Sequence, residues 1–145
     1  MVALLRKLPL WAAALWWGSL TTIGLLVVPL LFVNLPTPAL AGGMAARLFT
    51  AQTWVSVVCA VLLLMASRPQ DDAAGGAASH GPLQAVRLTV IGGLLLALLL
   101  EFAVEPRIIA RENLTLWHRV GSSLYLLQWF CAAITFGRLS REARL

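Results

Sequence analysis

Four separate stretches of this chain stay apolar for long enough to cross a bilayer, and that narrows its fold more than any motif does. A membrane-crossing α-helix needs about 20 predominantly apolar residues. The runs fall at about 8–33, 38–67, 83–105 and 115–137. A soluble helical protein seldom needs so many apolar segments of that length. Charge content points the same way. Of 145 residues, 60% are hydrophobic and 12% are charged, whereas a soluble domain is about a quarter charged. The fold class expected is all-α: a polytopic membrane protein, folded as an antiparallel four-helix transmembrane bundle. Residues 1–145 are read as a single transmembrane domain.

The ends of the runs carry their own signals. The first run, LPLWAAALWWGSLTTIGLLVVPLLFV, follows Arg6 and Lys7. Ala39-Leu40-Ala41 resembles a signal cleavage site, but the apolar region of a signal peptide is about 7–15 residues. The longer run here is read as an uncleaved span. Pro29, near its far end, is expected to kink or end the helix. Thr37 followed by Pro38 suits an N-cap and a first helical turn. Residues 68–82, RPQDDAAGGAASHGP, read as a flexible loop. Beyond the third run the helix either kinks through Pro106 or stops before it. Asn113 or Thr115 is placed to cap the fourth.

The net charge is +5, yet the basic residues stand one or two at a time at the ends of apolar runs. No basic face forms, which argues against nucleic acid. Lys and Arg in such places suit anionic headgroups. Arg6, Lys7, Arg68, Arg87, Arg138, Arg141 and Arg144 share one side; Arg47, Arg107, Arg111 and Arg119 share the other. The positive-inside rule then places both termini in the cytoplasm of a bacterial inner membrane. The expected partner is the lipid bilayer, with a homo-oligomer or a membrane partner as further options.

Lipid is as apolar as leucine, so helices associate through close packing and polar contacts. Each run offers a stripe for this. Ala14, Gly18 and Thr22 mark the first, and Gln52, Ser56 and Cys59 the second. Gly93, Ala97 and Glu101 mark the third; His118, Ser122, Tyr125 and Trp129, with Gln128 nearby, mark the fourth. Gln52, Ser56, Ser122, Tyr125 and Gln128 are therefore expected to make polar contacts within the bundle.

Glu101 is the least expected residue. A carboxylate within a membrane costs about 2.5–3.5 kcal/mol on insertion scales, so it needs a partner or a wet cavity. Glu105 lies four residues on, where both carboxyls can share a helix face. Repulsion between them favours holding a proton. A structural reading pairs them with Arg107, Arg111 or Arg119 to fasten helix ends. A functional reading gathers Glu101, Glu105, Arg107, His118 and Arg119 into one polar cluster, suited to a proton relay, a metal or an anion. The spacing matches no recognised metal-ligand signature, so the metal at this cluster is left open.

The cofactor expectation is none, with copper or haem as the alternative. Two axial histidines would serve a haem, but the chain has only His80, assigned to the loop, and His118. Cys59 and Cys131 suit soft copper at similar depth, or else serve as small apolar residues. There is no phosphate-binding glycine loop, nucleophile elbow or HExxH motif.

WWGSLTTIGLLVVPLLF followed by AGGMAARLFTAQTWVSVVCA resembles the opening of the small bacterial membrane proteins grouped as domain of unknown function 4149. EPRIIARENLTLWHRVGSSLYLLQ is similar to that family's second half, and Gly18, Pro29, Gly42, Phe49, Pro106 and His118 stand at its pattern positions. The resemblance implies a four-helix membrane fold. It also implies a distant likeness to copper-resistance membrane proteins, membrane protoporphyrinogen oxidases and eukaryotic proteins linked to drug resistance. The leading functional expectation is a non-enzymatic inner-membrane protein that binds or passes a small solute or ion. A metal- or haem-linked redox protein and a structural or partner-binding subunit are the alternatives.

Overall fold

The computed structural model of the chain describes residues 2–67, 82–110 and 112–143, with side chains from 7 and from 86 onward in the first two stretches. Residues 68–81, most of the expected loop with His80, lie outside the described residues, as does Arg111. The described residues form helices and no strand: α1 (Val2–Thr22), α2 (Val28–Asn34), α3 (Pro38–Ala66), α4 (Pro82–Leu99), α5 (Glu105–Ile109) and α6 (Leu114–Glu142). Two π turns, Ile23–Val27 and Leu100–Val104, join α1 to α2 and α4 to α5. Four helical stretches result that are long and apolar enough to cross a membrane: Lys7–Asn34, Pro38–Ala66, Val86–Ile109 and Leu114–Glu142. That is the build of a multi-pass membrane protein.

The prolines explain the π turns. Proline has no N–H, and its ring collides with the carbonyl four residues back in an α-helix. Ahead of Pro29, the Val28 N–H reaches back five residues to the Ile23 carbonyl. Ahead of Pro106, the Glu105 N–H does the same to Leu100. The wider turn makes room for the ring, so both helices continue through their prolines. The helix starts follow capping chemistry. The Leu40 N–H donates to Thr37 Oγ1 at 3.3 Å, with Pro38 in the first turn. Asn113 adopts the left-handed conformation, φ 35°, that asparagine tolerates, and its Oδ1 accepts from the Leu116 N–H.

The spans close into a ring: α1 packs along α3 and α6, and α4 packs along the same two helices. The core repeats at helical spacing. Ala12, Ala13, Trp16 and Leu20 come from α1, Cys59, Ala60 and Leu63 from α3, Val86 and Val90 from α4, and Ala132 from α6. Trp16 is wholly buried, and a Cβ added at Gly93 would sit 2.6 Å from its ring and 3.1 Å from the Cys131 Cβ. The indole therefore lies directly on the α4 backbone. Below it, Thr89 and Thr135 hydroxyls meet at 3.0 Å. Large apolar side chains such as Val33, Leu88 and Phe102 face outward, as a surface in lipid should.

Candidate functional site

At the other end the four spans do not close. A cavity of about 650 Å³ lies between them, walled mainly by apolar side chains including Leu25, Val28, Phe49, Leu100 and Leu126. That volume is typical of small-molecule sites, which run to about 300–1,000 Å³. Glu101, Glu105 and His118 line it, and no Lys or Arg does among the described residues.

The π turn of residues 100–104 carries Glu101, and α5 opens on Glu105. Their carboxyls lie within hydrogen-bonding reach of each other. From α3, Thr50 Oγ1 donates to Glu105 at 3.3 Å to one oxygen and 3.4 Å to the other. Two carboxyls this close attract a positive charge, whether a proton or a ligand cation. Arg107 turns elsewhere: its guanidinium lies 4.3 Å from the centre of the Trp117 ring, a cation–π contact. Arg119 is exposed and is not on the cavity wall. The structure thus brings Glu101, Glu105 and His118 to one space and leaves Arg107 and Arg119 outside it.

The inner end of the cavity is a hydrogen-bonded layer. Ser19 Oγ donates to the Trp16 carbonyl at 3.0 Å, and Ser56 Oγ donates to the Gln52 carbonyl at 2.9 Å. Each hydroxyl has then spent its only proton and can only accept. Gln52 Nε2 donates to Ser19 Oγ at 3.0 Å and to Ser56 Oγ at 3.4 Å. Gln128 Nε2 donates to Ser56 Oγ at 3.0 Å. The serines thereby fix which way the Gln52 amide points. Its Oε1 is left buried without a donor.

Tyr125 and its neighbours close the side. Tyr125 Oη donates to the Leu20 carbonyl at 2.8 Å, and its ring meets Phe49 edge-on at 5.3 Å. The approach depends on Gly24, where an added Cβ would sit 2.7 Å from the tyrosine ring. Trp129 Nε1 donates to Thr21 Oγ1 at 2.8 Å. Ser122 stands exposed on the cavity wall, outside this network. Sequence reasoning did not single out Ser19, Thr21, Gly24 or Thr50. For Ser19, Thr21 and Thr50 a signal was present: hydroxyl residues within a run that lipid would otherwise keep apolar.

Residues 11–114, well over half of the chain, match the family described as Domain of unknown function (DUF4149). The chain belongs to that family. The DUF4149 match takes in the first three spans and both carboxylates, and ends at Leu114, where α6 begins. His118, Tyr125 and Gln128 therefore lie beyond the matched stretch. The match does not bear on the copper-resistance likeness. No curated protein matches the chain, and neither does any solved structure. Among the described residues no three His, Cys, Asp or Glu side chains gather closely enough to hold a metal ion. Cys59 is buried in the core, and Cys131 is half-buried beside Gly93.

Proposed function

We propose that this DUF4149 protein is an inner-membrane protein that binds a small solute in the cavity between its four spans. One observation carries the reading: an apolar-walled space of about 650 Å³ whose lining includes Glu101, Glu105 and His118. An antiparallel arrangement is supported by side-chain register. Leu20 meets Tyr125, whereas Trp16, earlier in the first span, meets Cys131, later in the fourth, through Gly93. The distribution of Lys and Arg supports cytoplasmic termini, with the cavity at the opposite face. Binding fits better than passage, because Trp16, Leu63 and Ala132 fill the bundle beyond the glutamine layer.

Gly42 lines the cavity, and a Cβ there would meet nothing within 4 Å. Gly42→Leu should therefore fill the space without disturbing the fold. Calorimetric titration of the full chain in detergent with phenethyl alcohol and phenethylamine is the test. Wild type should bind at least one of them and Gly42→Leu neither. Equal heats from the two proteins, at equal melting temperature, would sink the reading.

A further inference from the structure

Resting on that reading, we infer that the solute is an organic cation with N–H donors, a protonated amine on a small apolar body. Three features converge on this chemistry. The first is the charge of the lining: two facing carboxyls and no Lys or Arg among the described residues. An anion would meet only repulsion from that pair. The second is the shape of the rest. Leu25, Val28, Phe49 and Leu100 supply no oxygen ligands, so the walls suit a hydrocarbon body and not a bare inorganic ion.

The third feature is independent of the carboxylates. Gln52 is only 3% exposed, lines the same cavity, and carries a buried acceptor with no donor. A buried polar atom normally has a partner, and a small shift of the Gln52 side chain toward the cavity would let a ligand donor supply it. The Gln52 amide cannot turn over to satisfy itself. Both serine hydroxyls already donate to backbone carbonyls, so a flipped Oε1 would face acceptors. His118 and Ser122 on the same wall can accept as well as donate, while the Gln52 oxygen is thus an acceptor beside two carboxyls. A primary ammonium answers both, with charge for the carboxyl pair and N–H groups for oxygen acceptors. A quaternary ammonium supplies the charge alone, and an alcohol supplies one neutral donor.

The experiment compares three probes with the same phenethyl body on the full chain in detergent: phenethylammonium, its bulkier N,N,N-trimethyl analogue and neutral phenethyl alcohol. The charged, hydrogen-bonding probe should bind about tenfold or more tighter than the alcohol. The trimethyl analogue should fall between them. Glu101→Gln with Glu105→Gln should erase the advantage of both cations and leave the alcohol unaffected. Gly42→Leu separates the two levels of the reading. If all three probes bind wild type equally and are lost in Gly42→Leu, the cavity is a solute site and the cation inference is overturned. The same holds if the double variant keeps the cation preference. If no probe binds wild type, both the cation inference and the solute reading fall.

Discussion

The half of the bundle around Trp16 and the half around Glu105 use much the same residues, chiefly leucine, valine, alanine and glycine, and are filled in opposite ways. In the first, a glycine receives an aromatic ring: Gly93 lies against Trp16, and Ala12, Ala13, Ala60 and Ala132 bring the helices close. In the second, Gly42 faces open space, while Phe102 turns outward. Composition does not separate a packed interior from a cavity in a membrane bundle. What separates them is which small residues have a large one opposite: Gly93 meets Trp16 across the packed half, whereas on the cavity side Gly24 is filled by Tyr125 and Gly42 by nothing. Lipid gives no hydrophobic penalty that would force the second half shut.

The largest effects should appear where that contrast is sharpest. Gly93→Ala should lower stability by about 1–3 kcal/mol, because a fully buried indole cannot yield. Gly42→Ala should stay within about 0.5 kcal/mol. Reversible unfolding in mixed micelles would read both, and similar values for the two glycines would break the comparison. Next comes the boundary layer. Ser56→Ala removes the hydroxyl shared by Gln52 and Gln128 and leaves buried donors unpaired, an expected loss of about 1–2 kcal/mol. A neutral result would mean that the amides find other acceptors.

Tyr125→Phe keeps the ring beside Gly24 and deletes the bond to Leu20. Interhelical hydrogen bonds in membrane proteins average about 0.6 kcal/mol, so a thermal scan should show a small drop. Arg107→Ala, exposed at the open end, should cost least, about 0.5 kcal/mol for its contact with Trp117. A larger loss than that of Tyr125→Phe would mean that the rim of the cavity, and not its wall, holds the helices together.

Much of the architecture was legible in the residues. Run length announced four spanning helices, and Thr37 and Asn113 announced two helix starts. Gln52, Ser56 and Gln128 stood out because lipid tolerates amides and hydroxyls poorly, and they meet one another in the bundle. Glu101 and Glu105 stood out for the same reason. Less legible was what the partners would be. An arginine two residues from a glutamate looks like its counter-ion, yet Arg107 lies on Trp117, and Glu105 takes its hydrogen bond from Thr50, fifty-five positions away. The stripe of Ala14, Gly18 and Thr22 promised a tight helix contact in the first span. Gly18 instead has nothing within 4 Å of its Cβ position, and the close approach falls at Gly24. Spacing along one helix says which residues share a face; it does not say what stands opposite.

The π turns before Pro29 and Pro106 carry a consequence for how this chain tolerates changes of length. An α-helix advances about 100° per residue, and a π turn closes its hydrogen-bonded ring over one residue more than an α turn. Losing a single residue from Leu100–Val104 would let that turn relax to α geometry and leave Glu105 pointing close to its present direction toward Thr50, because the wider turn already absorbs one extra residue. Gly93, upstream, would keep its place on Trp16. A loss from Ile23–Val27 would likewise leave Pro29 and Phe32 on their present faces of the helix. One-codon deletions in either five-residue window would therefore keep the cavity lining in register, whereas a deletion elsewhere in a span would rotate everything beyond it by about 100°.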